Sequence, residues 1–318
     1  MRRYKPLLVG TVLGLLYGAF ARWLAGTGNP WFEPVTLGFI FLVPLAMGYL
    51  SVLVLDRPRW WQTTFLPWGT WLLAVGLAFL VGWEGAICVV MAAPAGLILS
   101  SIGGWLVILV RRFSRKIAPA VLALPFVLIP LESRWEPAPQ IRVVESRLDV
   151  AASRETVWAQ IREVPPIGVE EQGTTLFNRI GFPRPVEARL FGEGVGAVRH
   201  ATFERGVLFI ERVTLWQEGA RLAFTIHADS VNIPPSTLDE HVTIGGRYFD
   251  VLDGEYRLED LPSGGTRVHL TSHHRLSTTM TLYAGLWTDA VMQSIQSRIL
   301  EVIRDRSERA TRADRSAS

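Results

Sequence analysis

The chain has 318 residues, 49% hydrophobic and 19% charged, with twelve Trp and a mean hydropathy of +0.25. A soluble two-domain protein is rarely this apolar, and nearly all of the excess lies before about residue 132. Residues 1–116 hold ten Lys/Arg against three acids, so the pI of 9.3 belongs to that half and is no argument for a nucleic-acid partner. Cys88 is the single cysteine, which excludes an intrachain disulfide and leaves the redox compartment open.

Four apolar runs come first, roughly Leu7–Leu24, Val35–Leu55, Phe65–Val81 and Ala86–Val110. Each reaches or approaches the ~20 residues that a helix needs to cross a bilayer. Backbone groups in lipid must be satisfied internally, so these runs predict helices. Pro94 with Gly96, and Gly103 with Gly104, would kink the fourth helix or let a neighbour pack closely, and close packing is the reading preferred. No span carries a central acid or base, which argues against an ion pathway, and no internal repeat of a transporter is visible. Arg2, Arg3 and Lys5 precede the first span, Arg57 and Arg59 follow the second, and Arg111, Arg112, Arg115 and Lys116 follow the fourth. The turns between carry only Glu33 and Glu84. The positive-inside rule then puts the N-terminus in the cytoplasm. Residues 1–21, with Ala19-Phe20-Ala21 as a cleavage box, also fit a signal peptide; the later spans keep their orientation either way.

The fifth run, Ile117–Leu131, is short and contains Pro119, Pro125 and Pro130, which make a poor helix interior. A fully apolar segment between polar flanks is costly to leave in water, so it is expected to cross, which puts the C-terminal domain outside the cytoplasm. If it does not cross, that domain stays in the cytoplasm.

After a linker over 133–140 the pattern changes from runs to alternation. Ile141–Val150 predicts a strand, and Ala152–Val164 a helix capped by Ser153, with Val157, Trp158 and Ile161 buried. Strands follow at Val186–Phe191, Val195–Phe203, Val207–Trp216, Arg221–His227, Arg247–Leu252, Gly254–Leu261 and Thr266–Leu276, as a meander of hairpins. A long helix, about Tyr283–Asp305, closes the domain, with Trp287, Val291, Ile295, Ile299 and Val302 on its apolar face. The Arg-rich tail from 307 to 318 is expected to be disordered. The fold class is thus an α-helical transmembrane bundle over 1–132, then an α+β domain over 141–306 in which a curved antiparallel sheet wraps the last helix.

Particular strings carry a resemblance: VVESRLDVAASRETVW (143–158), GVGAVR (194–199), ERVTLWQEGARLAF (211–224), DGEYRL (253–258) and the closing helix. With these, residues 141–306 resemble the SRPBCC superfamily, also called START-like or polyketide cyclase/dehydrase-like, and its helix-grip fold. The resemblance implies a fold, and not an activity, because the superfamily includes lipid carriers, hormone receptors and aromatase/cyclases. The fused membrane half lies outside its usual pattern.

On the last hairpin Tyr256 and Leu258 share a face, as do Val268, Leu270, Ser272, His274 and Leu276, and these apolar positions mark the inner side. His274 then points inward, as a hydrogen-bonded structural residue or a ligand contact, while His269, His273 and Arg275 point out. Glu211 shares a face with Phe209, Val213 and Leu215, which would bury it; the opposite register buries Leu208, Ile210 and Trp216 and leaves Glu211 in water. The stretch 228–246, with Asp239, Glu240, His241, Arg247 and Tyr248 in or beside it, is too long for a simple turn and reads as a recognition loop or a solvated insertion. The apolar segment Leu176–Phe182 reads as packing over the first helix or as a contact with lipid headgroups.

The ligand-contact candidates are therefore Glu211, His241, Tyr248, Tyr256, His274 and Trp287. No metal-ligand spacing, nucleophile motif or phosphate cradle is present, so no catalytic residue, metal or cofactor is expected; GEGVG (192–196) reads as a turn. The expected function is membrane-tethered binding of a lipid or other hydrophobic small molecule. The alternatives are a cyclase- or dehydratase-like enzyme, which needs Glu211 and His274 within reach of each other, and a solidly packed protein-interaction module. Oligomeric state is left open.

Overall fold

The apolar runs of the N-terminal half form five helices in the computed structural model, which describes residues 4–113, 118–168, 170–171, 173–229, 244–262 and 264–317. The chain divides into two units, Met1–Ala138 with Thr278–Met280, and Pro139–Ser277 with Thr281–Ser318.

In the first unit the helices are α1 (Lys5–Gly26), α2 (Val43–Leu53), α3 (Trp60–Leu80), α4 (Ala86–Phe113) and α5 (Ala118–Ser133). Three of them, α1, α3 and α4, are long and apolar enough to cross a membrane. The run expected as one span over 35–55 begins with a π-helical turn, Gly38–Leu42, before α2. Pro44 has no amide hydrogen for the Ile40 carbonyl and its ring crowds that group; the wider turn accommodates both.

The helices alternate in direction. Leu7, Tyr49, Val52, Leu66, Val107, Val110, Val121 and Leu122 cluster at one end, and Ala21, Val43, Trp71, Ala92, Phe126 and Ile129 at the other. α5 therefore runs the length of the bundle. It is a continuous helix despite Pro125 and Pro130, which corrects the expectation of a poor helix interior. An interior proline costs about 3 kcal/mol. Here Pro125 and Ile129 are buried, Tyr17 donates to the Leu122 carbonyl at 2.8 Å, and Glu132 accepts from Gly38 N at 2.9 Å, so packing offsets the loss.

Small residues fill the interior of this bundle. A Cβ on Gly48 would overlap the Ser100 carbonyl, and one on Gly103 the Leu45 carbonyl, so both glycines permit backbone contact between α2 and α4. Leu16, Leu73, Leu77, Ile98 and Leu109 are more than half exposed. Small residues inside and large apolar ones outside is the reverse of a water-soluble bundle.

The second unit is a seven-stranded antiparallel sheet with strand order β1-β7-β6-β5-β4-β3-β2. Its strands are β1 (Gln140–Val150), β2 (Pro185–Phe191), β3 (Val198–Phe203), β4 (Leu208–Gln217), β5 (Arg221–Ala228), β6 (Phe249–Asp260) and β7 (Thr266–Leu276). Two helices, α6 (Arg154–Arg162) and α7 (Leu176–Arg179), lie between β1 and β2, and α8 (Thr281–Ala317) follows β7. Ser153 caps α6 by accepting from Thr156 N at 3.3 Å. The apolar segment over 176–182 opens with α7, which Thr175 and Asn178 cap reciprocally.

The inner face of the sheet is covered by α6 and α8. Val157, Trp158 and Ile161 of α6 and Leu300 and Ile303 of α8 pack on Val213, Leu222, Phe224, Tyr256, Leu258, Val268 and Leu270. Each such side chain contributes roughly 1.5–3 kcal/mol when fully buried. The antiparallel sheet and long closing helix agree with the helix-grip expectation.

Two elements differ from those expected. The strands expected over 247–252 and 254–261 are one strand, β6, because a bulge between Val251 and Asp253 shifts the register without breaking the pairing with β7. The helix expected to stop at Asp305 continues to Ala317, through the segment expected to be disordered. Arg306 donates to the Pro165 and Pro166 carbonyls at 2.9 Å and, with Arg309, pairs with Glu171. Those contacts tie the helix to the segment between α6 and α7, an anchorage invisible in the polar composition of the tail.

Candidate functional site

Hairpin geometry places the first group of polar residues on the inner face. The turn at Glu204–Gly206, where Arg205 takes φ 60°, pairs Arg199 of β3 with Glu211 of β4. Arg199 Nη1 donates to Glu211 Oε2 at 2.7 Å, and the side chains are only 3% and 8% exposed. The Arg199 guanidinium lies 5.3 Å from the Phe224 ring centroid and 5.9 Å from that of Tyr256. Gly254 makes this possible: a Cβ there would come within 2.9 Å of the Phe224 ring and force it off the guanidinium.

Burial pushes the Glu211 carboxyl up while the Arg199 guanidinium pulls it back, and burial pushes the Tyr256 phenol up. Arg199 Nε is buried without a hydrogen-bond partner.

Both readings of β4 hold, each for half of the strand. A bulge between Val213 and Leu215 switches its alternation. Before it, Glu211 and Val213 are buried; after it, Trp216 packs on the core with its ring 5.3 Å from Trp158, edge to face.

The second group lies between β1, β7 and α8. His274 is fully buried, with Nε2 3.2 Å from Thr288 Oγ1 and 3.4 Å from Asp289 Oδ1. Arg142, opposite His274 on β1, donates Nε to Asp289 Oδ1 at 2.8 Å and its second nitrogen to Oδ2. Arg142 holds the Asp289 carboxyl below the usual carboxylate range, and burial lowers the His274 imidazole. Two residues along β7, Ser272 Oγ accepts from Gln296 Nε2 at 2.8 Å; the same nitrogen donates to the Val144 carbonyl at 3.0 Å. His274 Nδ1, Gln296 Oε1 and Ser146 Oγ have no hydrogen-bond partner. Val144, Val251 and Met292 form the apolar surroundings, with Phe249 packed against them and its ring 5.5 Å from that of His274.

The structure thus brings Glu211 and Tyr256 together around Arg199, and gives His274 a separate network with Thr288, Asp289 and Arg142. Glu211 and His274 do not hydrogen-bond each other, so the acid/base pair that an enzyme was expected to need is not assembled. Trp287 is half-buried on α8 beside Thr288. Tyr248 is also half-buried, with its carbonyl accepting from Ser277 N at 2.9 Å and the Arg247 guanidinium 5.6 Å from its ring centroid. His241, with Asp239 and Glu240, lies outside the described residues. On the outer face His269 is held between Glu145 (2.9 Å) and Glu259 (3.3 Å), and His273 against Asp253 at 2.6 Å, as the alternation of β7 requires. Among the described residues no His, Cys, Asp and Glu group has the geometry to hold a metal ion.

Sequence reasoning missed Arg199, Arg142, Asp289 and Gln296. A signal existed for the first: a hairpin centred on residue 205 places 199 opposite 211. For Gln296 the clue was one polar residue beside the apolar stripe of a helix otherwise expected to be buried there.

No family model matches the chain, and no curated protein matches it. Among solved structures it is similar to the Zhui aromatase/cyclase from Streptomyces sp. R1128, at 17% identity over 54% of this chain and 96% of that one, with a TM-score of 0.34. It is similar to truncated norcoclaurine synthase from Thalictrum flavum, at 11% identity over 52% and 92%, TM-score 0.33. A third is the Aha1 dimer from Colwellia psychrerythraea, at 15% identity over 52% and 96%, TM-score 0.32. At these identities and TM-scores the likeness assigns neither a ligand nor a reaction.

Proposed function

We propose that this is an integral membrane protein whose C-terminal domain binds an apolar small molecule or lipid between its sheet and α8. One observation carries the reading. Arg199 Nε, His274 Nδ1, Gln296 Oε1 and Ser146 Oγ are buried without partners, all on side chains that face an apolar interior. A buried polar atom without a hydrogen bond costs about 1–3 kcal/mol. Several of them along one face fit a mostly apolar site in which a few polar groups orient the ligand.

The inside-out packing of the first unit supports the tether. Attachment to a bilayer raises the local concentration of a lipid-soluble ligand without any added affinity. The end-to-end course of α5, a fifth pass from a cytoplasmic N-terminus, supports a C-terminal domain outside the cytoplasm. Labelling of an exposed cysteine, Ser316→Cys in a Cys88→Ser background, tests the side: an impermeant maleimide should reach it in intact cells. Labelling only after lysis would reverse the topology.

The binding test is solvent extraction of the full chain, purified in detergent, followed by mass spectrometry. One apolar molecule in near-stoichiometric amount is expected. A chain that carries none, and takes up none from a membrane extract, overturns the reading.

A further inference from the structure

The hydrogen-bonding roles of the orphaned atoms narrow the ligand's chemistry. This step rests on the proposed binding site. Asp289, paired on both oxygens with Arg142, is a carboxylate and only accepts. Thr288 donates its hydroxyl to the Gly285 carbonyl at 3.2 Å, so toward His274 it too accepts. Both neighbours of His274 Nε2 therefore require a proton on that nitrogen. In a neutral imidazole the other nitrogen, Nδ1, is then a lone-pair acceptor.

Gln296 is fixed in the same way. Its Nε2 faces the Val144 carbonyl, an obligate acceptor, so the amide cannot be reversed without setting two oxygens against each other. Both protons of Nε2 are used, by Val144 and Ser272, and Oε1 is left as an acceptor. One orphan acceptor is on His274 itself and the other is on the amide held by Ser272, two residues along β7, so both residues lie along one stretch of the inner face.

The cations nearby are already engaged. Arg142 is committed to Asp289; Arg199, whose Nε is unpartnered, sits with Glu211 on β3 and β4, on the far strands of the sheet from His274 and Gln296. A carboxylate or phosphate brought to His274 and Gln296 would meet acceptors and no free positive charge.

We propose that the site selects an apolar molecule bearing a neutral hydroxyl, an alcohol or phenol that donates to His274 Nδ1 or Gln296 Oε1, and rejects the matching carboxylic acid. Ser146 Oγ, which both donates and accepts, completes the polar strip on β1.

The test is native mass spectrometry of the full chain released from nanodiscs loaded with matched trios. These are dodecanol, dodecanoic acid and dodecane; farnesol, farnesoic acid and its parent hydrocarbon; and 2-naphthol, 2-naphthoic acid and naphthalene. In at least one trio the alcohol or phenol should be retained about tenfold over both relatives, the ratio expected for one buried hydrogen bond made or lost. Gln296→Leu, which leaves His274 Nδ1 as the one remaining acceptor of the two, should reduce that preference, Gln296→Leu with His274→Phe should erase it, and Ser146→Ala, a milder change, should reduce it. Retention of an acid or hydrocarbon as well as its alcohol overturns the hydroxyl inference and leaves the binding site standing. Retention of no probe in any trio overturns both. The trios need no variant, so a misfolded substitution does not rescue the inference.

Discussion

Arg199 and Glu211 face each other across β3 and β4, joined at 2.7 Å, and nearly closed to water. An ion pair this deep is costly to assemble, and its two halves depend on each other more than the fold depends on the pair. Arg199→Met alone should destabilise the C-terminal domain by about 3–5 kcal/mol, since it strands a buried carboxylate. Glu211→Leu alone should cost a similar amount. The double variant should recover most of the loss, as measured by denaturant unfolding followed through tryptophan fluorescence. Additive single effects would show that the pair is not coupled.

Gly254 gives Phe224 room to lie against Arg199. Gly254→Val should displace the ring and cost about 1–3 kcal/mol through overpacking. Gly254→Val combined with Phe224→Leu should be less destabilised than Gly254→Val alone. If Gly254→Val melts like the unaltered chain, the close approach of ring and backbone is wrong.

Glu171 binds the segment between α6 and α7 to the end of α8 through Arg306 and Arg309, which hold its carboxyl down at about 2. A lowered folded value means that the stabilisation is complete above the unfolded value of 4.5 and is lost as pH falls toward 2. Amide hydrogen exchange in residues 164–175 and 306–317 should therefore accelerate over that window, beyond the intrinsic pH dependence. Glu171→Gln should show the faster exchange already at neutral pH, with the extra acid dependence gone.

His274 should remain neutral below the pH at which an ordinary histidine protonates, because burial opposes its charge. Asp289 pulls its titration up, and Arg142 and His273 push it down. Asp289→Asn removes the upward pull, so the His274 titration seen by NMR of histidine-labelled chain should move lower still. The folded value lies below the unfolded 6.5, so stability from this group is present above 6.5 and lost as pH falls through the folded value. An upward move in Asp289→Asn would contradict the network.

Alternation and periodicity made much of this architecture legible. The face shared by Tyr256, Leu258 and His274 was readable because β6 and β7 keep strict period-two order through those positions. The stripe of α8 was readable through Val291, Ile299 and Val302 for the same kind of reason. What stayed hidden depends on register between strands. Glu211 was ambiguous because the bulge after Val213 makes both registers true of one strand. Arg142 meets Asp289 across 147 residues, and no local pattern in either segment announces the other. The continuous course of α5 was equally illegible, since helix propensity argues against its prolines and only packing with Tyr17 and Gly38 overrides it.

What lies beside the inner face in the membrane-bound protein can be read by photo-crosslinking. A diazirine amino acid at Val251, buried between the sheet and α8, should give a small-molecule adduct on illumination of intact membranes, readable as an added mass on the peptide. The same residue at Ile141, 55% exposed on the outer face, should give none or only scattered lipid adducts. A defined adduct at 251 alone is expected of a ligand-filled domain. Only protein-internal cross-links at 251, or the same adducts at 251 and 141, would contradict it.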